Sequence, residues 1–196
     1  MIDTFDATHD RLRLAVARAL KSYPDSELLD GLKDRDAIFR TAAARELHVR
    51  GGAHVFEEAK ALARSERHDN REIGAFVLGQ LGTPACPFAA QSFPILLELL
   101  DDPYFEVQAV AAGAIGFLAS LGHVAPPAVG KRVLELSRAP EPEVRAAVAS
   151  TLGFFDMPEA AQVLRTLCTD DDGAVNDAAD FALDMHSNRR PPAGAA

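Results

Sequence analysis

The chain has 196 residues, of which 48% are hydrophobic and 25% are charged, a usual balance for a folded protein with a sizeable core. A formal net charge of −9 repels phosphate backbones, so the composition argues against nucleic-acid binding and favours basic partners at encounter. The core is rich in alanine and has no tryptophan, which favours closely packed helices over a β-sandwich.

The sequence predicts neither export nor membrane insertion. Its first residues, MIDTFDATHDRLRL, lack the basic and continuous apolar regions of a signal peptide. No apolar run approaches the roughly 20 residues of a membrane span. Cys86 and Cys168 are far apart and outside any CxxC pattern, as in a reducing compartment. We therefore expect a cytoplasmic protein without a disulfide framework.

An amphipathic helix is predicted at the start of the chain. Leu12, Val16, Ala19 and Leu20 have helical spacing, and the pattern ends before Tyr23-Pro24. Residues 1–24 are interpreted as an N-terminal capping helix. A repeat region is expected at 25–187, followed by a disordered polar tail at 188–196.

The repeat region is defined by five ten-residue segments that align without gaps. Apolar or small residues fall at offsets 0, +3, +4, +7 and +8 from the first residue of each segment, which makes one helical face. The segments start 34, 34, 37 and 31 residues apart, a period typical of two-helix repeats. They are Phe39–His48, Ile73–Gly82, Val107–Gly116, Val144–Gly153 and Val175–Asp184.

Shorter apolar stretches between these segments predict the other helix of each pair. Turns with glycine, proline or aspartate separate the pieces, for example Gly51-Gly52 and Asp101-Asp102-Pro103. One pair cannot bury its own apolar face, so the pairs must stack. The chain is therefore predicted to be an all-α solenoid, an α-α superhelix of about five helical hairpins. The other helices are expected at Leu28–Leu32, Val55–Ala63, Phe93–Leu100, Val129–Leu136 and Ala160–Leu167.

The ten-residue core resembles the HEAT repeat superfamily, especially its short bacterial form in phycobilisome lyase subunits. The segment VRAAVASTLG at Val144–Gly153 is similar to that family's pattern Val-Arg-x-x-Ala-x-x-x-Leu-Gly. The first and fifth segments are less similar, since Phe39 replaces the valine and Asn176 the arginine. The resemblance covers roughly residues 26–186 and implies a curved solenoid whose second helices line the concave face. It implies an adaptor more than a lyase.

No catalytic, cofactor or metal motif stands out. HExxH, GxSxG, Walker and GxGxxG patterns are absent, and Asp170-Asp171-Asp172-Gly173 lacks the alternation and distal glutamate of a calcium loop. His48 and His54 flank one turn and are interpreted as exposed turn residues. We therefore expect a protein that is not an enzyme and that needs no cofactor or metal.

Some candidate partner-binding residues lie at two offsets, +1 and +5, that point away from the apolar stripe, and the others are acidic or aromatic residues near the C-terminal end of the repeats. At +1, Arg40 and Arg145 either pair with acidic residues such as Asp36 and Glu141 or bind a partner's carboxylate or backbone. Acidic residues dominate from Glu141 onward, so a basic protein is expected to engage the C-terminal half. The candidates are Arg40, Gln108, Arg145, Phe154, Phe155, Asn176, Asp177, Asp180, Phe181 and Asp184.

These observations predict a protein-binding scaffold without catalysis. Its size and acidity suit an immunity protein that neutralises a basic toxin, and a general adaptor or regulatory subunit fits equally well. A lyase- or chaperone-like protein that handles a chromophore or a modified protein is the alternative from another class. Resemblance to the HEAT-like DNA glycosylases would imply a basic groove and tryptophan, and this chain has neither. The partner, the binding face and the oligomeric state stay open.

Overall fold

The computed structural model describes residues 14–189, with the backbone alone for 186–189. The N-terminal helix predicted from sequence is helical over residues 14–20 (α1), and its earlier part lies outside the described residues. Residues 190–196 of the predicted tail also lie outside them.

After α1, the described chain forms helical hairpins, each with a first and a longer second helix. This architecture confirms the predicted all-α solenoid. The first helices are α2 (Asp25–Gly31), α4 (Ala53–Leu62), α6 (Ala89–Leu99), α8 (Pro127–Leu136) and α10 (Pro158–Leu167). The second helices are α3 (Ala37–Arg50), α5 (His68–Gln80), α7 (Phe105–Ser120), α9 (Pro142–Leu152) and α11 (Gly173–Arg189).

The helices pack in two layers. Each second helix contacts the second helix of the next hairpin, from α3 through to α11, and also the first helix of its own hairpin. The valines at the first core position of the last three repeats, Val107, Val144 and Val175, are fully buried between the layers. The core is therefore one continuous apolar cluster shared by all the hairpins, and no hairpin encloses a core of its own.

The second repeat begins three residues earlier than the sequence alignment placed it. Arg71 is the fourth residue of α5, as Arg145 is of α9, and each donates from Nη1 to the carbonyls five and six residues before it. The equivalent segment is therefore Asn70–Gly79, and the predicted Ile73–Gly82 is wrong. The corrected starts are 31, 37, 37 and 31 residues apart.

The error has a physical cause. The first core position of this repeat holds Asn70, which is only 9% exposed and donates from Nδ2 to the Ser65 hydroxyl. A polar residue at that position hides the repeat, and the next apolar residue, Ile73, lies almost one helical turn later. A helical stripe shifted by three residues remains largely apolar, so periodicity alone did not distinguish the two registers.

Glycine sets the distance between neighbouring second helices. A Cβ added to Gly116 of α7 would lie 2.6 Å from Oγ1 and 3.1 Å from Cα of Thr151 in α9. The Thr151 hydroxyl also donates across this contact to the carbonyl of Ala112, at 2.8 Å. The equivalent glycines of the adjoining repeats make the same approach, Gly79 to Ala114 and Gly153 to Ala182.

Two glycines of α7 provide a matched test of this packing. Gly116→Ala should lower the free energy of unfolding by about 1–3 kcal/mol, because the new methyl group overpacks the contact with Thr151. Gly113→Ala should raise it by about 0.5–1 kcal/mol, since no atom lies within 4 Å of its added Cβ and alanine favours the helix. Urea unfolding followed by circular dichroism measures both changes. Equal effects from the two substitutions would contradict a packing role for Gly116.

Candidate partner-binding surface

One arginine joins the fourth repeat to the fifth. Arg145 donates from Nε and Nη2 to the two carboxylate oxygens of Asp170, at 2.8 and 2.7 Å. Its Nη1 donates to the carbonyls of Ala139 and Pro140. Hydrogen bonding to the Arg145 guanidinium holds the pKa of Asp170 below its usual range. This side chain is therefore fully engaged inside the protein.

Arg71 joins the second repeat to the third in the same way. It donates to both carboxylate oxygens of Asp102, whose side chain is only 4% exposed, and to the carbonyls of Ser65 and Glu66. Burial raises the pKa of Asp102, but hydrogen bonds from Arg71 and from the Tyr104 backbone outweigh it, and the pKa lies below its ordinary value. We call these two sets of contacts, Arg71–Asp102 and Arg145–Asp170, the arginine clamps.

The other two junctions between hairpins lack a clamp because the aspartate is replaced. The equivalent position holds Ser65 opposite Arg40 and Ala139 opposite Gln108. Arg40 donates to the Asp34 carbonyl at 2.7 Å, and its Nη1 lies 3.8 Å from the Asp69 carboxylate. Gln108 donates from Nε2 to the Asp102 carbonyl at 2.6 Å. Both candidates are thus half-buried and bonded to their own turns.

The acidic partners proposed from sequence for the two arginines, Asp36 and Glu141, are wrong. Asp36 caps α3 instead, where its carboxylate accepts from the backbone N–H groups of Ile38 and Phe39. Glu141 precedes α9 and makes no side-chain cap. The aspartate that binds Arg145 belongs to the following repeat, so spacing within one repeat could not identify it.

Two of the candidate aspartates lie on a face of α11 that no other described helix covers. Asp180 and Asp184 occupy positions of α11 that face the next repeat in the earlier hairpins, and both are exposed. Elsewhere the Asp180 position holds a fully buried alanine, and the Asp184 position holds a close-packed glycine in three repeats. Those residues are Ala44, Ala75, Ala112 and Ala149, and Gly79, Gly116 and Gly153.

The aromatic candidates have three different environments. Phe155 is 7% exposed and belongs to the core, so its prediction as a surface residue is wrong. Phe154 is half-buried just beyond the end of α9. Phe181 is 67% exposed, one turn after the exposed Asp177 of α11. Asn176 takes the position that Arg145 has in α9 and is half-buried.

The exposed side of α5, α7 and α9 is acidic, whereas α3 carries the exposed Arg45. In α5, α7 and α9, the only arginines or lysines are Arg71 and Arg145, and both are held in the clamps. Carboxylates remain on this side in four successive repeats. We call them the acidic row: Glu72 (half-buried), Glu106, Glu143 and Asp177 (all exposed).

The pKa of Glu72 reflects burial and the charges of its neighbours. Burial raises the pKa of this carboxyl, Arg40 lowers it, and the neighbouring Glu106 raises it further. The net pKa is above its ordinary value, so the local environment disfavours the negative charge. A cation placed against Glu72 and Glu106 would relieve both the burial and the repulsion.

The first helices present a different, mixed charge. Lys131, Arg132 and Glu135 lie on one turn of α8, and Arg132 also pairs with Asp101 at 2.7 Å. In α4, Lys60 pairs with Glu57. In α4 and α8, basic side chains thus lie beside the acidic ones, unlike on the exposed side of α5, α7 and α9.

Sequence reasoning missed the clamps because it misaligned Arg71 and searched for acceptors close in the chain. A signal was present, however. Asp102 and Asp170 each lie five residues before the first core position of their repeat, with a second acidic residue beside them. An arginine in the preceding repeat together with an aspartate at that position identifies a clamp.

Burial and charge hold the Cys168 thiol protonated. Desolvation, together with the nearby Asp180 carboxylate, raises the pKa of Cys168 to about 11. Cys86 is 2% exposed and lies in the core. Across residues 14–189, no group of three or more His, Cys, Asp or Glu side chains could hold a metal ion. No helix in that range is long and apolar enough to cross a membrane.

Comparison with known proteins supports the repeat assignment. Residues 93–184 match the family model of HEAT repeats. Protein YibA of Escherichia coli (strain K12) is 26% identical over 168 residues, which are 85% of this chain and 59% of YibA. The chain thus spans about three-fifths of the length of the curated relatives it matches.

Solved structures share the fold. The X-ray structure of YibA matches 92% of this chain and 64% of its own, with a TM-score of 0.75 and 24% identity. The CpcE–CpcF complex of phycocyanin lyase from Nostoc sp. PCC7120 matches 85% of this chain and 66% of its own, with a TM-score of 0.64 and 18% identity. A designed armadillo repeat protein in complex with the peptide (KR)4 matches 94% and 95%, with a TM-score of 0.56 and 15% identity. The resemblance to HEAT repeats is therefore confirmed.

The clamp at the fourth junction should stabilise the fold in a pH-dependent way. Arg145→Met should lower the free energy of unfolding at pH 7 by about 2 kcal/mol, because Asp170 loses its charged partner. A carboxyl with a lowered pKa stabilises the fold above its unfolded pKa of about 4, and this stabilisation is lost as pH falls through the folded value. The difference between wild type and variant should therefore shrink towards pH 3 in urea titrations. A difference that is constant with pH would contradict an ionic clamp.

Proposed function

We propose that the protein is a non-enzymatic scaffold that binds a basic protein or peptide on the exposed side of its second helices. The observation that carries this proposal is the acidic row, three of whose members lie on α5, α7 and α9, where the arginines are already engaged in the clamps. Glu106 and Glu143 have no salt bridge within the described residues. Such carboxylates attract and orient a positively charged partner. The partner would meet one carboxylate in each of four successive repeats.

Helix capping does not account for the whole row. Glu106 and Glu143 lie in the first turns of α7 and α9, where a negative charge also interacts favourably with the helix dipole. Glu72 and Asp177 are each the fifth residue of their helix, beyond the first turn. The half-buried Glu72 has a raised pKa, so its position costs free energy in the absence of a partner. A cation bound beside Glu72 would offset this cost.

The fold supports a partner of this kind. The designed armadillo repeat protein with a similar fold is in complex with (KR)4, a wholly basic peptide. The two thiols favour a non-catalytic role for this chain, since Cys168 is protonated at neutral pH and Cys86 is buried. An immunity protein bound to a basic toxin and an adaptor bound to a basic segment are both forms of this proposal.

Charge reversal on one layer tests the proposed face. The variant Glu106→Lys/Glu143→Lys should weaken binding of a (Lys-Arg)4 peptide by at least about tenfold at low salt, because two attractive contacts become repulsive. The matched control, Glu98→Lys/Glu159→Lys, changes the net charge equally on the exposed side of the first helices. Fluorescence anisotropy at two salt concentrations measures both. Equal weakening by the two variants would mean that net charge, not this face, governs binding.

The same two variants identify the natural partner. Affinity capture from the source organism with wild type, the variant and the control as bait should yield a basic protein that the variant alone fails to retain. Mass spectrometry then identifies the retained protein, and so distinguishes a toxin from a protein that an adaptor would bind. A retained pigment in place of a protein would favour the lyase- or chaperone-like alternative and contradict the proposal.

A further inference from the structure

We infer that the partner segment carries a bulky apolar side chain in addition to its basic residues, and that this side chain docks in a cavity of about 500 Å³ beyond the ends of α7 and α9. The inference rests on the proposed function and specifies the chemistry of the partner. It comes from an apolar surface that the acidic row does not explain.

The cavity lies between two loops that lead from second helices to the next first helices. Its walls are largely apolar and include Ala119, Val124, Pro126, Phe154 and Met157. Val124 is 91% exposed, so its side chain is accessible to a partner. A cavity of this size accommodates a leucine, methionine or phenylalanine side chain.

The loop that carries Val124 is held in place before any partner arrives. Gly122 has a φ of 87° and ends α7, and the N–H of His123 donates to the Leu118 carbonyl at 3.1 Å. Pro126 and Pro127 then fix the backbone at the start of α8. Binding therefore loses little loop entropy, which favours affinity for a side chain that fits.

The cavity and the acidic row are connected along the exposed sides of α7 and α9. Glu143 and Phe154 are 11 residues apart along α9 and its end, or about 17 Å at the helical rise of 1.5 Å per residue. On α9 the residues between the two sites include the small Ala146, Ala147 and Ser150, whereas on α7 the half-buried Val110 and Phe117 are larger. A chain segment can therefore approach α9 closely on its way from one site to the other.

These dimensions define the partner segment. An extended chain covers about 17 Å in five residues. The segment would thus have basic residues at one end, five small or polar residues in the middle and one bulky apolar residue at the other end. A purely basic segment would leave the cavity empty, and a purely apolar one would leave the acidic row without a counter-charge.

Two synthetic peptides test this inference. The first is Lys-Arg-Lys-Arg-Gly-Ser-Gly-Ser-Gly-Phe with an amidated C terminus, and the second replaces the final Phe with Ser. Wild-type protein should bind the first peptide at least about tenfold more tightly, because one aromatic side chain leaves water. Isothermal titration calorimetry at a fixed low salt concentration measures both affinities.

Protein variants test whether the tighter binding of the Phe peptide depends on this cavity. Val124→Asn, at a residue exposed enough to leave folding intact, and Ala119→Leu, which fills the cavity, should both reduce the advantage of the Phe peptide to less than threefold. Val49→Asn is the matched control, since Val49 is 65% exposed on α3 and does not line the cavity. Circular dichroism checks that each variant folds.

The outcomes separate this inference from the function on which it rests. Equal binding of the two peptides overturns the apolar anchor and leaves the basic partner standing. No binding of either peptide overturns the proposed function itself. A preference for the Phe peptide that survives Val124→Asn and Ala119→Leu overturns the assignment to this cavity.

Discussion

The close contact between successive second helices is the constraint on which the rest of this structure depends. At three junctions, a glycine in one second helix lies so close to the next second helix that there is no room for a Cβ atom. That contact fixes the separation of the repeats, and the separation brings Arg145 within reach of an aspartate 25 residues later in the chain. Both arginine clamps lie at junctions with such a contact, between α5 and α7 and between α9 and α11. The contact between α7 and α9 has no clamp, because Gln108 and Ala139 stand at the two positions. Close packing brings the positions within reach, and the residues at them decide whether a clamp forms.

The clamps also determine the charge that the protein presents. Arg71 and Arg145 are the cations of the middle second helices, and both are directed into junctions between repeats. Their neighbours on the same helices, Glu106 and Glu143, remain outside. On α5, α7 and α9, part of the net charge of −9 thus stays exposed as carboxylates beside arginines that are already paired. The composition gives the sign of the charge, and the directions of two arginine side chains decide where it stays exposed on these helices.

Helix pairs, their order and the apolar stripe were predictable from sequence because each depends on residues less than about ten positions apart. The register of the second repeat was not, since Asn70 places a polar group where the stripe requires an apolar one. The partners of the arginines lie one repeat away, and no local pattern connects them. Phe155 was named as a partner-binding candidate together with Phe154, because two adjacent phenylalanines after a helix give no sign of which one turns inward. The cavity depends on loops from two repeats and has no signal in either loop alone.

The aspartates on the last described helix change what could pack against it. Asp180 places a carboxylate where the earlier second helices have a fully buried alanine, and Asp184 places one where three of them have a close-packed glycine. A further hairpin stacked on α11 in the same way would bury both charges at the new junction. Burying two carboxylates without partners costs free energy, so such a junction would need its own cations opposite them.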